Sequence, residues 1–181
     1  YRRAVKRNIS HLPGIAAFCD DMRDALKGNH GLKESKGFVS GLVLREEAVK
    51  FGIAGAVWHP QIVYSYVESS PEPWAMEPSQ CINYVSCHDN YTLFDKLKMT
   101  LPEATGEELK RRVKLAGAIL LTSQGIPFIH SGMEFCRTKD GHGNSYLSPD
   151  TINQLDWSLK ATCLDVFHYF RKLISLRKNH P

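Results

Sequence analysis

No apolar run in the 181 residues approaches the ~20 that a helix needs to cross a bilayer. The opening segment, Tyr1-Arg2-Arg3-Ala4-Val5-Lys6, has neither an initiator Met nor the apolar core of a signal segment. The chain reads as one already under way, with no membrane expected as a partner. The Cys-x-x-Cys pair is also missing, and the five cysteines, Cys19, Cys81, Cys87, Cys136 and Cys163, are odd in number. This pattern argues against a disulfide framework and against a structural zinc site. Buried free thiols in a reducing compartment are the simplest reading, so a cytoplasmic location is expected, with a secreted parent as the alternative. Basic and acidic side chains nearly balance, 23 against 19, for a formal charge of +4. The basic groups fall at Arg2-Arg3 with Lys6-Arg7, at Lys110-Arg111-Arg112, and at Arg171-Lys172 with Arg177-Lys178. The last two groups lie in amphipathic helices, where a solvated face accounts for them. No basic face with interleaved aromatics is evident, which excludes nucleic acid as an expected partner. Internal repeats and low-complexity segments are absent.

What is there is an ordinary globular composition, 43% hydrophobic and 23% charged, long enough for one domain with a real core. Strand and helix signals alternate. Gly14 to Phe18 is a short strand candidate and Asp20 to Lys27 a brief helix ended by Gly28. Glycines 31, 37 and 41 punctuate a loop before a helical patch from Leu44 to Val49, and Gln61 to Val67 fits a strand. Pro71, Pro73 and Pro78 keep the chain extended up to a second strand, Cys81 to Cys87. The clearest helix is Glu107 to Ser123, with Leu109, Val113, Ala116 and Leu120 on one stripe and a Thr105/Glu108 capping signature. Gly125 to His130 reads as a short buried strand, Arg137 to Asn153 as a polar loop too long to be idle. Thr162 to Lys178 is an amphipathic helix with a stripe of Cys163, Val166, Phe167, Phe170, Leu173 and Ile174, followed by Pro181. This order predicts an α/β fold of parallel strands with helical crossovers. A complete (β/α)8 barrel needs roughly 200 residues or more, so three or four strands imply either an incomplete barrel or a small open sheet.

The most informative stretch is Ile82-Asn83-Tyr84-Val85-Ser86-Cys87-His88-Asp89-Asn90. A β-rich run that ends in ionisable side chains is how α/β barrels build active sites at strand ends. The plainer alternative is that Asp89 or Asn90 caps the helix that follows. The two roles are compatible, since one carboxylate oxygen can cap while the other binds a ligand. Glu134 fits the first turn of a helix, favoured there by the dipole. Arg137, Asn144 and Tyr146 sit on the long loop, where Tyr146 can stack on a ligand ring or simply pack the loop. Trp157 reads as a packing anchor. No metal site is expected: Cys87, His88 and Asp89 are consecutive, and successive side chains of a strand point to opposite faces.

Two separated segments, the run ending in His88-Asp89-Asn90 and Gln124-Gly125-Ile126-Pro127-Phe128-Ile129-His130-Ser131-Gly132-Met133-Glu134, resemble the seventh and eighth strands of the α-amylase superfamily barrel (glycoside hydrolase family 13). A third series, Arg137-Thr138-Lys139, Asn144-Ser145-Tyr146, Pro149-Asp150 and Ile152 to Trp157, is similar to the type I pullulanases, which cut α-1,6 branch points. Phe18 to Gly28, with Gly37 to Gly41, resembles their sixth-strand region, and Leu173 to Pro181 the helix that closes their barrel. Cys19 departs from the family's usual asparagine, and Cys136 from its usual apolar residue.

The resemblance covers essentially the whole chain, residues 1–181. It implies the C-terminal part of a retaining catalytic barrel, about strands six to eight with their helices. Retaining glycosidases work with a nucleophile and a proton donor roughly 5 Å apart. In the family these lie on the fourth and fifth strands, the nucleophile in a Gly-x-Arg-x-Asp run that this sequence does not contain. The resemblance implies that Asp89 is the third family carboxylate, which steadies the oxocarbenium-like sugar, with His88 donating a hydrogen bond to it. Asn90, Arg137, Asn144 and Tyr146 are the expected substrate-binding residues. The implied partner is an α-glucan such as pullulan, glycogen or a limit dextrin, with no cofactor. Lacking nucleophile and acid/base, the chain alone is expected to be inactive, and without the N-terminal half of the barrel it is expected to self-associate. The alternatives are a non-catalytic α-glucan-binding or scaffold module, and an isoamylase or branching-type relative.

Overall fold

The computed structural model describes residues 3–180; Arg2 of the first basic group and Pro181 lie outside the described residues. Three short strands, β1 (Ala17–Phe18), β2 (Cys81–Tyr84) and β3 (Ile126–Phe128), form a parallel sheet in the order β1-β2-β3. The crossover from β1 to β2 carries α1 (Asp20–Lys27) and α2 (Glu46–Ile53), and that from β2 to β3 carries α3 (Leu93–Thr100) and α4 (Gly106–Thr122). After β3 come two single-turn helices, α5 (Asp150–Asn153) and α6 (Leu159–Thr162), and the long α7 (Leu164–Asn179). The α/β class and parallel, helix-connected topology agree with the sequence-based expectation.

Local chemistry explains the helix limits. Asp20 and Asp21 lie in the first turn of α1, where the helix dipole favours anions. Gly28 ends it at φ +92°, in a position where a Cβ would lie 2.0 Å from the Ser35 carbonyl oxygen. The Thr105 hydroxyl accepts from the Glu108 amide at 3.2 Å at the start of α4, as its capping signature predicts. The expected stripe Leu109, Val113, Ala116 and Leu120 is buried. At the other end of α4, Arg177 of α7 donates to the carbonyls of Leu121, Ser123 and Gly125 at 3.0, 2.6 and 2.6 Å, supplying partners that a helix C-terminus lacks.

The two faces of the sheet differ. Register pairs Phe18 with Ile82 and Ile82 with Ile126, and Tyr84 with Phe128, so these residues share one face. Phe18, Ile126 and Phe128 on it remain 42%, 45% and 37% exposed, and Phe18 meets Tyr84 and Phe128 edge-on at 5.0 and 5.5 Å. On the opposite face Asn83 is fully buried. Its amide donates to the Gly52 carbonyl at 2.8 Å and the Gln124 carbonyl at 2.9 Å, joining β2 to the ends of α2 and α4.

Several boundaries differ from expectation. The Gln61–Val67 segment is a 3-10 turn at Tyr64–Tyr66 and no strand. Its polar groups are satisfied locally: Val63 N donates to Glu47 at 2.8 Å, His59 N to the Tyr64 hydroxyl at 2.7 Å, and that hydroxyl to the Val57 carbonyl at 3.2 Å. The strand β2 stops at Tyr84, three residues before Cys87. Strand β3 is half-open to solvent, because its Ile126 and Phe128 lie on the uncovered face. The last helix is interrupted at Cys163, and Ile174, expected in its buried stripe, is exposed.

Gly117 is where α4 meets α7: a Cβ there would lie 2.4 Å from the Phe170 ring, and Phe170 is buried. In an isolated helix Gly→Ala stabilises by about 1 kcal/mol. Here overpacking should reverse the sign, with Gly117→Ala lowering unfolding free energy by roughly 1–2 kcal/mol, read as a lower urea midpoint. A higher midpoint would show that the helices separate without cost.

Candidate active site at the strand ends

The C-terminal ends of the three strands lead into Asp20, into the Val85–Asn90 loop, and into His130, which brings their polar side chains to one edge of the sheet. The β2 loop is irregular. Val85 and Ser86 are buried, and the Ser86 hydroxyl accepts from the Leu93 amide at 3.2 Å. Asn90 turns the chain with φ +63°, a left-handed conformation that asparagine tolerates better than most residues. The cap of α3 is Thr92, whose hydroxyl accepts from Asp95 N at 3.1 Å. The plainer alternative, that Asp89 or Asn90 caps this helix, is therefore corrected: the cap falls two residues beyond Asn90. His88 and Asp89 project outward, with side chains 87% and 70% exposed, and His88 Nε2 lies 3.3 Å from Asp89 Oδ1. The ground for excluding a metal is corrected too: off the strand, the ligand atoms of Cys87, His88 and Asp89 all lie within 4.8 Å of one another.

A second layer holds this loop. The buried Lys139 ammonium donates to the His88 carbonyl and to the Ser145 hydroxyl, both at 3.1 Å, which sets the exposed Asn144 and Tyr146 on the turn next to His88. Burial, reinforced by the nearby Arg137 charge, lowers the Lys139 pKa. The Asp95 carboxylate, also buried, accepts from Lys139 N at 2.8 Å and from the Thr138 hydroxyl. From the C-terminal turn of α1, the buried Lys27 ammonium donates to the Tyr91 carbonyl at 3.1 Å, and burial pushes its pKa down to about 8.

Arg137 is committed to the protein. Its guanidinium donates to the Ser131 carbonyl at 3.2 Å and the Asn153 carbonyl at 2.5 Å, and contacts His130 Nε2 at 3.1 Å. A guanidinium only donates, so His130 Nε2 accepts and its proton sits on Nδ1. Burial, with the charges of Arg137 and Lys139, drives the His130 pKa down to about 4, consistent with a neutral ring. Glu134 accepts from Gly132 N at 3.0 Å at the start of a 3-10 turn, the structural role expected of it. Trp157 packs against Phe135 with ring centroids 5.3 Å apart.

Beside β1 lies a network that sequence reasoning missed. The Tyr84 hydroxyl donates to Asp20 and accepts from Arg23, both at 2.6 Å. Arg23 also binds Asp24 in a two-pronged contact at 2.7 and 2.9 Å, and Lys6 pairs with Asp20 at 2.9 Å. Burial opposes ionisation of Asp20, yet Tyr84, Lys6 and Arg23 together hold its pKa below the usual range. Thr92-Leu93-Phe94-Asp95 fits a capping signature, which marks the Thr92 cap but not the contacts of the Asp95 carboxylate; nothing local pointed to Lys139 or Tyr84.

The enclosed space under the β2 loop, between Ser86, Thr92, Leu93, His130, Met133 and Arg137, is about 10 Å³, room for little more than one water. A sugar ring does not fit there, and at this edge the solvent-facing side carries His88 and Asp89. There a carboxylate can accept from hydroxyls and stabilise developing positive charge, while an imidazole donates or accepts.

A parallel sheet wound by helices, with its polar residues gathered at the strand ends, places the chain in the class of α/β folds that carry sites at that edge. Within that class the chain is homologous to the type I pullulanases. It is 46% identical to the pullulanase of Bacillus subtilis over 180 residues, covering 99% of this chain and 24% of that protein. It is 34% identical to the chloroplastic pullulanase 1 of Arabidopsis thaliana, covering 82% and 19%. It superposes on a mutant pullulanase from Paenibacillus barengoltzii complexed with maltotetraose at a TM-score of 0.90 and 47% identity, covering 99% of this chain and 26% of that one. The chain thus spans about a quarter or less of the length of these relatives. No protein-family model matches it.

The His130 environment makes a pH prediction. An unfolded histidine takes up its proton near pH 6.5, the native one only near 4. Between those values the unfolded chain binds more protons, so stability is lost as pH falls from 6.5 to 4, by up to about 3 kcal/mol. Urea titrations should show this loss in the wild type and a shallower one in His130→Gln.

Proposed function

We propose that this chain is the C-terminal part, about strands six to eight, of the (β/α)8 barrel of a debranching glycoside hydrolase acting on α-1,6 links. The observation that carries the reading is the exposed His88-Asp89 pair at the strand-end edge of a segment homologous, over nearly its whole length, to pullulanases. Asp89 stabilises the positive charge that develops on the sugar ring, and His88 hydrogen-bonds that sugar; both interactions strengthen toward the transition state. Asn90, Asn144 and Tyr146 line the approach, and Arg137 keeps the strand-end loop in place beside them. The substrate is an α-glucan. Related structures solved with maltotetraose and with maltose support that assignment.

The nucleophile and proton donor lie outside these residues in this reading, so the polypeptide by itself is inactive. The uncovered apolar face of Phe18, Ile82, Ile126 and Phe128 suits the inside of a larger barrel, filled by layers of inward side chains. Left alone, that face and the free edges of β1 and β3 drive self-association. A cytoplasmic location fits the five free cysteines.

The test is a segment exchange: this chain replaces its counterpart in the Bacillus subtilis pullulanase. The chimera should release reducing sugar from pullulan, and Asp89→Asn in it should lower kcat by about 10²–10³-fold with little change in KM. A folded chimera whose Asp89→Asn form keeps full kcat would overturn the role given to Asp89. The 181-residue polypeptide alone should release nothing above a heat-killed blank, and sedimentation velocity should show its apparent mass rising with concentration. Hydrolysis by that polypeptide, or a monomer at all concentrations, would count against the incomplete-barrel reading.

A further inference from the structure

Four of the five cysteines are buried; Cys87 is partly exposed. Its thiol packs into no core, and its polar contact is the Asp89 backbone carbonyl at 3.9 Å. We propose that Cys87, His88 and Asp89 form a three-ligand site for a borderline divalent transition-metal ion of the zinc class. The β2 loop makes this possible because the strand has ended at Tyr84, so three consecutive side chains converge where a strand would spread them. Zinc holds sulfur, nitrogen and oxygen donors at about 2.0–2.3 Å, which places tetrahedral donors roughly 3.5 Å apart. His88 Nε2 and Asp89 Oδ1 already stand 3.3 Å apart, and no two of the three donors are more than 4.8 Å apart. From at most 4.8 Å, the widest donor pair must approach by about 1 Å to reach the tetrahedral spacing.

The donor set selects the ion. Thiolate, imidazole and one carboxylate suit zinc or cobalt, whereas magnesium and calcium want oxygen alone. Three protein ligands leave the fourth position to water, the open arrangement of zinc sites that exchange ligands. Lys139 works both ways. Its bond to the His88 carbonyl fixes the loop, while its charge opposes a cation, so binding is weaker than in a closed structural site. Metal binding extends beyond the glucan reading and does not depend on it. One consequence does rest on that reading: a metal held by His88 and Asp89 would exclude the sugar and act as a reversible inhibitor, released by chelation.

The experiment is a Co²⁺ titration of the tag-free, phosphine-reduced chain, followed by absorption. One equivalent should bind, with a thiolate-to-cobalt charge-transfer band and the intense visible bands of a tetrahedral site. Cys87→Ser should abolish the charge-transfer band and weaken binding at least tenfold; His88→Ala should weaken binding at least tenfold while any bound cobalt keeps the band; circular dichroism reports that each variant stays folded. Zn²⁺ should also slow alkylation of Cys87 by iodoacetamide at least tenfold, mapped by mass spectrometry, with chelator restoring the rate. An unchanged band in Cys87→Ser, no charge-transfer band at millimolar Co²⁺, or alkylation of Cys87 indifferent to Zn²⁺ each overturns the proposal. Because no glucan enters these assays, their failure leaves the debranching assignment to be judged by the segment exchange.

Discussion

Three buried ammonium groups hold the strand-end edge of this protein together. Lys27, Lys96 and Lys139 are each 1–2% exposed, and a charge taken out of water that finds no partner costs several kcal/mol. Each finds oxygen on a segment without regular structure. Lys96 gathers the carbonyls of Asn29, Leu32 and Lys33, which fixes the loop after α1. Lys27 takes the Tyr91 carbonyl at the approach to α3, and Lys139 takes the His88 carbonyl and the Ser145 hydroxyl. The strands contribute only nine residues, too few to dictate the course of the loops. The lysines do that, and burial lowers the pKa of all three.

The same economy explains why His88 and Asp89 can stand exposed in a defined arrangement. Their loop is anchored from below by Ser86 accepting from Leu93 N, from one side by Lys27, and from the other by Lys139, itself set by the Asp95 carboxylate. The residues that face solvent make few protein contacts of their own. Their geometry is imposed by buried groups around them, a supporting shell of the kind that orients ligand-binding side chains.

Asymmetry of the sheet is the other governing feature. The face carrying Asn83 is closed by helices through bonds to Gly52 and Gln124. The face carrying Phe18, Ile126 and Phe128 is apolar and half-open. Exposed aromatic and aliphatic groups across adjacent strands are unfavourable in water, and the edge-on contacts among Phe18, Tyr84 and Phe128 hide only part of that surface. The helix-covered face and the half-open apolar face therefore meet along these three strands.

Much of this was legible in the residues alone. The 3.6-residue stripe of α4, the Thr105 cap, the end of α1 at Gly28 and the alternation of strands with helices follow from local rules, and the chain has them where those rules place them. The concentration of polar residues after Tyr84 was also visible as a string. What no local rule contained were contacts between residues far apart in sequence. Gln61–Val67 has strand-like composition, but Glu47, arriving from α2, takes its backbone amide and makes it a turn. The Asp95 carboxylate, three residues past the Thr92 cap, is taken up by Thr138 and Lys139 from more than forty residues away. The strand's end at Tyr84 leaves Cys87, His88 and Asp89 free to come together, which a continuing strand would forbid. The sequence by itself determined which segments become helices and where the chemistry-bearing residues cluster, since both depend on neighbours a few positions away. Only the tertiary structure decided which way those residues point, because that depends on buried charges seeking oxygen across distances the sequence does not display.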